Sequence, residues 1–341
     1  MTENHPGFDL KPPAATVGQR KTRIERHHAA AARALAAILA FFPVLTAHAA
    51  AYQLTSGRDE VVGDDEAIAA AYEDTLYDLA RKYGIGTEEL IRGNPGVDPW
   101  LPGAGKQIVI PGRRILPSGA REGIVVNLPE HRLYYYPRRK RGAPIVVITY
   151  PVGIGKMDWR TPLGLTHVSQ KEKNPVWTPP ASIRREHALA GDPLPARVPS
   201  GPLNPLGLYA LRLAVGDGTY LIHGTNNPIA VGMPVTHGCV RMYPDDIAAL
   251  FEMIAVGTPV GPGNLHGFID EADGRLLLEA HPPVDAQGQS TEPDLEQFAS
   301  LLRAAVGDNS LAVNWDYARE VLQRANGVIA TVGLEATPPA P

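Results

Sequence analysis

Cysteine is all but absent from this chain: Cys239 is the one thiol in 341 residues. A disulfide framework is therefore excluded, and nothing resembling a CxxC or HExxH metal motif is present. Aromatic residues are also few, at 6 %, while Gly (34) and Pro (33) are both abundant, a balance that favours turns and short strands over long helices. A basic footprint is missing too. The formal charge is −4 with Lys and Arg scattered, which sets nucleic-acid binding aside. At this length the chain has room for two modest cores.

The first fifty residues carry an address. A polar lead ending in Lys21, Arg23 and Arg26 runs into an Ala- and Leu-rich segment at 29–45, interrupted by Arg33. Ala47-His48-Ala49 then satisfies the small-x-small rule of a signal-peptide cleavage site, with the cut expected after Ala49. Beyond Arg33 the apolar run is well short of the roughly 20 residues of a membrane span, so cleavage is expected over retention as an anchor. In an oxidising compartment an unpaired thiol is a liability unless it is used. Cys239 is then either inert and buried, or a nucleophile.

After an irregular stretch at 52–65, a compact module is expected at 67–112. Leu76, Leu79, Ala80 and Tyr83 share one helical face, with Gly84 as the stop. A second short helix at 88–92 ends in Gly93-Asn94-Pro95-Gly96, and 108–111 reads as a closing strand. Helix, helix and strand in so few residues suit a binding module better than an enzyme site. The segments Asp74-Thr75-Leu76, Ala80-x-x-Tyr83-Gly84-Ile85, Leu90-x-x-x-Asn94-Pro95 and Ile108-Val109-Ile110-Pro111 resemble the LysM family in order and spacing. That resemblance implies a small βααβ domain that binds N-acetylglucosamine-containing glycan. The family's opening strand is poorly matched before Asp74, and Glu73 stands where a glycine is common.

From 121 to 262 the pattern turns to β alternation. Strands are expected at 123–128, 132–136 and 145–152, with a turn at Pro129-Glu130-His131. Strands at 209–213 and 219–223 flank Gly216-Asp217-Gly218, a hairpin signal. A helix at 245–255 follows Pro244, and 258–260 returns to the sheet. The Pro-rich stretch 174–205 shows little periodicity and is expected to wrap the surface. In the extension at 263–341, a hairpin at 267–280 and helices near 294–306 and 314–323 are expected, with no chemistry.

The chemistry concentrates in His223-Gly224-Thr225 and, further on, Thr236-His237-Gly238-Cys239-Val240-Arg241. A thiol with its ordinary pKa is a modest nucleophile at neutral pH. An imidazole in hydrogen-bond reach takes its proton, and the thiolate can then attack a carbonyl. Glycine before the cysteine permits a sharp turn, and the amides of Gly238 and Cys239 would then face a developing oxyanion. His237 shares a face with Cys239 if the segment is extended, and His223 ends an apolar strand; spacing alone leaves the base open between them. A zinc site of His223, His237 and Cys239 is the rival reading. His131, His167, His187, His266 and His281 have no such company and read as surface or structural.

The same residues are similar to those of the YkuD-type L,D-transpeptidases, which carry a histidine and, at about this distance, Ser/Thr-His-Gly-Cys-x-Arg/Asn. Leu133-Tyr134-Tyr135, Pro151-Val152-Gly153-Ile154-Gly155, Trp177-Thr178-Pro179-Pro180 and Gly207-Leu208-Tyr209-Ala210 extend the resemblance, and with the LysM-like module it points to the periplasmic ErfK/YbiS/YcfS/YnhG subgroup. It implies a mostly β fold, a β-sandwich with few helices. Cys239 would be the nucleophile, His223 the proton acceptor and donor, and Thr236, His237, Gly238, Gly224 and Arg241 would shape the oxyanion hole and pocket. No cofactor would be needed. The implied substrates are peptidoglycan stem peptides and glycan. The acyl acceptor would be a second diaminopimelate, or a lysine of an outer-membrane lipoprotein or β-barrel, with water as a further alternative. A wall-binding scaffold without catalysis, and a cysteine peptidase of another fold, are the competing readings.

Overall fold

The computed structural model describes residues 50–54, 61–119, 121–155, 164–216, 218–236, 238–263, 267–272, 274–283, 291–306 and 311–335. The expected leader, His237 and His266 lie outside them. Two strands open the described chain where the sequence reads as irregular. β1 (Ala50–Leu54) joins the edge of the large sheet, and β2 (Val61–Val62) pairs later with the linker. The small module follows. β3 (Glu66–Ala69) leads to α1 (Leu76–Tyr83), α2 (Thr87–Gly93) and β4 (Gln107–Ile110), which returns antiparallel to β3 with Ile68 opposite Ile108. The opening strand that the sequence matches poorly is therefore present.

Local chemistry sets these helices. The Thr75 hydroxyl accepts the Asp78 amide at 3.0 Å as an N-cap, and Gly84 closes α1 in the left-handed region. Leu76, Leu79 and Ala80 then turn inward against Leu90, Ile108 and Ile110 to form the module's own core. The Asn94 amide ties α2 to β4. Its Nδ2 donates to the Leu90 and Val109 carbonyls, and its Oδ1 accepts the Val109 amide, each at 2.8 Å.

The β-rich region begins after the linker strand β5 (Arg114–Ile115). In chain order it comprises β6 (Gly123–Asn127), β7 (Arg132–Tyr136), β8 (Ile145–Pro151), β9 (Ile154–Gly155), β10 (Thr166–Lys173), α3 (Ala181–Leu189), β11 (Tyr209–Leu213) and β12 (Leu221–His223). A 3-10 turn (Pro228–Ala230), β13 (Pro234–Thr236), β14 (Val240–Arg241), α4 (Pro244–Met253) and β15 (Pro259–Gly263) complete it. Nine strands hydrogen-bond in the order β1-β8-β7-β6-β15-β10-β11-β12-β14. The expected sandwich is realised as one continuous run folded over at β10. That strand pairs with β15 at Thr166 and His167, passes an irregularity between Val168 and Gln170, and then pairs with β11. Ile124, Val126, Leu133 and Tyr150 from one leaf and Leu211, Leu213, Ile222 and Val240 from the other share one core with Ile247 and Leu250 of α4.

The stretch at 174–205 is not wholly irregular, since α3 lies within it. Beyond β15 the extension builds a second sheet with its own core. β16 (Gly267–Ala272), β17 (Arg275–Ala280), β18 (Leu311–Val313) and β19 (Ala330–Glu335) make a sheet in the order β16-β17-β19-β18. Helices α5 (Leu295–Val306) and α6 (Trp315–Arg324) cover it through Leu302, Ala318, Val321 and Leu322.

Charged groups are buried where these parts meet. Glu89 of α2, Arg114 of β5, Glu130 and Arg132 of the β6–β7 hairpin, and Glu279 and His281 at the end of β17 are all shut off from solvent. The turn expected at Glu130 and His131 is thus internal. Glu89 joins Arg114 at 2.5 Å and Arg132 at 2.7 Å, and Glu130 accepts the Tyr134 hydroxyl at 2.6 Å. Glu279 accepts the Ile115 amide at 2.6 Å and meets His281 Nε2 at 2.8 Å. Burial by itself would push the Glu89 carboxyl up, but the two guanidiniums overcome it and hold it at about 2.

Candidate active site

The site is built on two adjacent strands and the turn that precedes the second. β12 runs antiparallel to β11 and parallel to β14, with Ile222 paired to both Leu211 and Val240. Ile222, Leu211 and Val240 point into the core. Their neighbours along the strands therefore face the opposite way, in two cross-strand rows. One row holds Ala210, His223 and Arg241; the other holds Arg212, Leu221 and, one residue before β14 begins, Cys239. By this register Cys239, the only thiol, and His223 stand one diagonal step apart on the same face.

His223 is buried, and its Nδ1 lies 2.6 Å from the Gly224 carbonyl oxygen. A carbonyl only accepts, so Nδ1 carries the proton and Nε2 presents a lone pair. Burial lowers the His223 pKa to about 3, with the nearby Arg241 guanidinium acting in the same direction and the Gly224 carbonyl opposing. The ring is neutral at neutral pH. Cys239 is partly exposed, with Sγ 3.7 Å from the Thr219 carbonyl. Burial pushes its thiol up, while the Leu221 backbone and the Arg241 and Arg212 guanidiniums pull it down less strongly. At rest the thiol and the imidazole are both neutral.

Gly238 is buried at φ +94°, a conformation that disfavours any side chain, and it turns the backbone immediately before the thiol. The Thr236 hydroxyl donates to the Cys239 carbonyl at 2.6 Å and spans that turn. Arg241 exchanges backbone bonds of 2.8 Å with Gly153, and its buried Nε has no hydrogen-bond partner among the described residues. The structure thus gathers His223, Gly224, Thr236, Gly238, Cys239 and Arg241, while His237 lies outside the described residues. Arg212 escaped the sequence reading. It sits in the thiol's row, its Nη1 donating to Gly218 O at 2.6 Å, and only the strand register reveals it.

Among the described residues, the group with metal-ligand spacing is Glu130, Glu279 and His281, whose ligand atoms lie within 4.8 Å of one another. It does not include the thiol. Arg114 and Arg132 stand 3.6 and 3.5 Å from Glu130, and burial raises the pKa of both Glu130 and Glu279. A pocket already holding two guanidiniums favours protons over a divalent cation.

A buried neutral histidine oriented by a carbonyl, a single thiol on the neighbouring strand and a glycine turn before it are the parts that cysteine acyl transfer requires. Comparison with known proteins narrows that class. The YkuD family, described as the L,D-transpeptidase catalytic domain, matches residues 121–261, and the LysM domain family matches 71–111. The chain is similar to the probable L,D-transpeptidase YcfS of Escherichia coli K12, at 41 % identity over 74 % of this chain and 78 % of that protein. It is 39 % identical to the probable L,D-transpeptidase ErfK/SrfK of Salmonella typhimurium, over 84 % and 94 % of the two chains. It is 40 % identical to the probable L,D-transpeptidase YbiS of Escherichia coli K12, over 73 % and 82 %. A solved catalytic domain of an E. faecium L,D-transpeptidase is 23 % identical with a TM-score of 0.29, covering 42 % of this chain and 96 % of that one, and carries no weight beside these relatives. The chain belongs to the L,D-transpeptidase family and is an enzyme of that activity, with a LysM domain before its catalytic domain.

Proposed function

We propose that Cys239 is the nucleophile of a two-step acyl transfer on peptidoglycan stem peptides, with His223 as its base. The observation that carries this reading is the His223 ring itself. Its proton is committed to the Gly224 carbonyl, which leaves Nε2 as acceptor on the face that bears Cys239. In the first step the Cys239 thiol loses its proton to Nε2 as sulfur attacks the carbonyl of the diaminopimelate unit in a tetrapeptide stem. The S–C bond forms, the C–N bond to the terminal D-alanine breaks, and the imidazolium returns its proton to the leaving amine. In the second step a primary amine attacks the thioester, gives its proton to His223, and releases the thiol. The protons balance, and the reaction needs no cofactor.

The amides of Gly238 and Cys239 serve as oxyanion donors, with Thr236, His237 and Gly224 shaping the pocket. Arg241 offers its unpartnered Nε to a carboxylate of the stem. Among acceptors, a lysine of an outer-membrane protein is favoured slightly over a second diaminopimelate, on the resemblance to the LysM-bearing subgroup. The work is periplasmic, after removal of the leader. None of the described helices is long and apolar enough to cross a membrane, and a cut after Ala49 leaves β1 whole.

The test is intact-protein mass spectrometry of wild type and Cys239→Ala after incubation with a diaminopimelate tetrapeptide. A transient tripeptide adduct on wild type alone, with D-alanine released, is expected. Folded wild-type protein that gives neither adduct nor D-alanine would sink the reading and favour a wall-binding scaffold.

A further inference from the structure

The LysM domain grips the segment that carries Cys239, and it does so on both sides of the thiol. Upstream, the Thr87 amide donates to the Val231 carbonyl at 3.2 Å and the Thr87 hydroxyl donates to the Ile229 carbonyl at 3.0 Å. Gly232 adopts φ +83°, and a Cβ there would overlap Gly86 Cα and Thr87 N, so the two backbones lie directly against each other. Downstream, the hydroxyl of Tyr243, the residue that opens α4, donates to the Ile85 carbonyl at 3.3 Å. Three consecutive LysM residues, Ile85, Gly86 and Thr87, therefore hold the chain ten residues before Cys239 and again four residues after it. Thr87, Val231 and Tyr243 are all buried, which shields the Thr87–Val231 bond from water, while the Thr87–Ile229 bond is only partly buried.

An ordinary docking surface joins side chains to side chains. Here the bonds land on main-chain carbonyls, which fixes the path of the backbone itself. The catalytic domain closes the same grip from its own side, where His131, held neutral by burial, donates Nδ1–H to the Gly232 carbonyl at 3.0 Å. From Gly232 the chain passes through β13 straight into the glycine turn before the thiol.

We propose that residues 85–87 of the LysM domain are a positioning element for catalysis: they fix both ends of the 229–243 segment and thereby the place of the Cys239 thiol. The LysM domain is thus part of the catalytic scaffold as well as a glycan-binding fold. The proposal rests on the reading of Cys239 as nucleophile. Thr87 acts through the loop and touches no reacting atom, so its loss slows the chemical step and leaves stem binding alone.

The test uses the full chain with Thr87→Val, which keeps the shape and the backbone amide but removes the hydroxyl, and Thr87→Ser, which restores it. D-alanine release gives kcat and KM, and amide hydrogen exchange reports on residues 229–236. A misplacement of a fraction of an ångström is worth about tenfold in rate. Thr87→Val is therefore expected to lose about tenfold in kcat with KM held, faster exchange in the loop, and recovery in Thr87→Ser. If Thr87→Val does not fold, Tyr243→Phe carries the same expectation from the downstream anchor. Unchanged kcat and exchange in the folded variant, or a loss that Thr87→Ser shares, would overturn the proposal. Inactive wild type would instead condemn the nucleophile assignment, and the exchange arm would still decide whether the grip exists.

Discussion

At the scale of single residues, protonation state decides how the site works. A preformed thiolate–imidazolium pair would need a histidine with a raised pKa and a thiol with a lowered one. Burial moves both the other way: His223 falls to about 3 and the Cys239 thiol rises. In the proposed mechanism the thiol is therefore activated only as it attacks, when Nε2 takes its proton. A base with a folded pKa near 3 stays competent through mildly acidic conditions. Single-turnover D-alanine release is therefore expected to stay level between about pH 5 and pH 8, without the break near 6.5 of an ordinary histidine. It should rise only in alkali, as thiolate forms. A half-maximal point between pH 6 and 7 would show that the neutral pair is wrong. Replacing His223 by Ala should lower kcat by about a hundred- to ten-thousandfold, since the thiol then lacks a base altogether.

Single elements show why some of the structure was legible in the sequence and some was not. The β6–β7 hairpin, the β11–β12 hairpin and helices α1, α4 and α6 announce themselves because each buries one regular face. β10 does not. It reads Thr-His-Val-Ser-Gln-Lys-Glu-Lys and buries only Val168, so no period of two appears, and its pairing with β11 is decided by backbone bonds. α3 likewise buries only Ile183, and β3 keeps its residues at least partly exposed. The Cys239 segment was legible as chemistry because its residues lie together in sequence. The Thr87 contacts and the row shared with Arg212 join residues far apart in the chain, and no local pattern encodes them. Asn94 is an intermediate case. It stands at the end of a helix where a turn is expected, yet its amide makes three bonds between α2 and β4. Asn94→Ala would leave the Val109 amide and two carbonyls without their partner in the LysM core. A loss of about 2–3 kcal/mol in unfolding free energy is expected, measured by urea denaturation. A change below about 0.5 kcal/mol would mean that water replaces the side chain.

Across the whole molecule, the buried charges bind three sections of the chain whose hydrophobic cores are otherwise separate. Glu89 comes from the LysM domain, Glu130 and Arg132 from the catalytic domain, and Glu279 and His281 from the C-terminal extension, which the sequence left without a role. Such a cluster is weak evidence for net stability, because desolvation offsets much of the attraction, but breaking one partner away is costly. Its pH response follows from Glu279. Burial raises this carboxyl to about 8, so the folded protein holds a proton that the unfolded chain, at 4.5, releases. The stabilising contribution is complete below the unfolded value and is lost as pH rises toward the folded one. A protonated Glu279 donates to His281 Nε2 while its second oxygen accepts the Ile115 amide, and a glutamine can do both. Wild type is therefore expected to lose melting temperature between about pH 4.5 and pH 8, whereas Glu279→Gln should lose much less over the same range. Parallel pH curves for the two proteins would mean that Glu279 is ionised in the folded state and that His281 carries the proton.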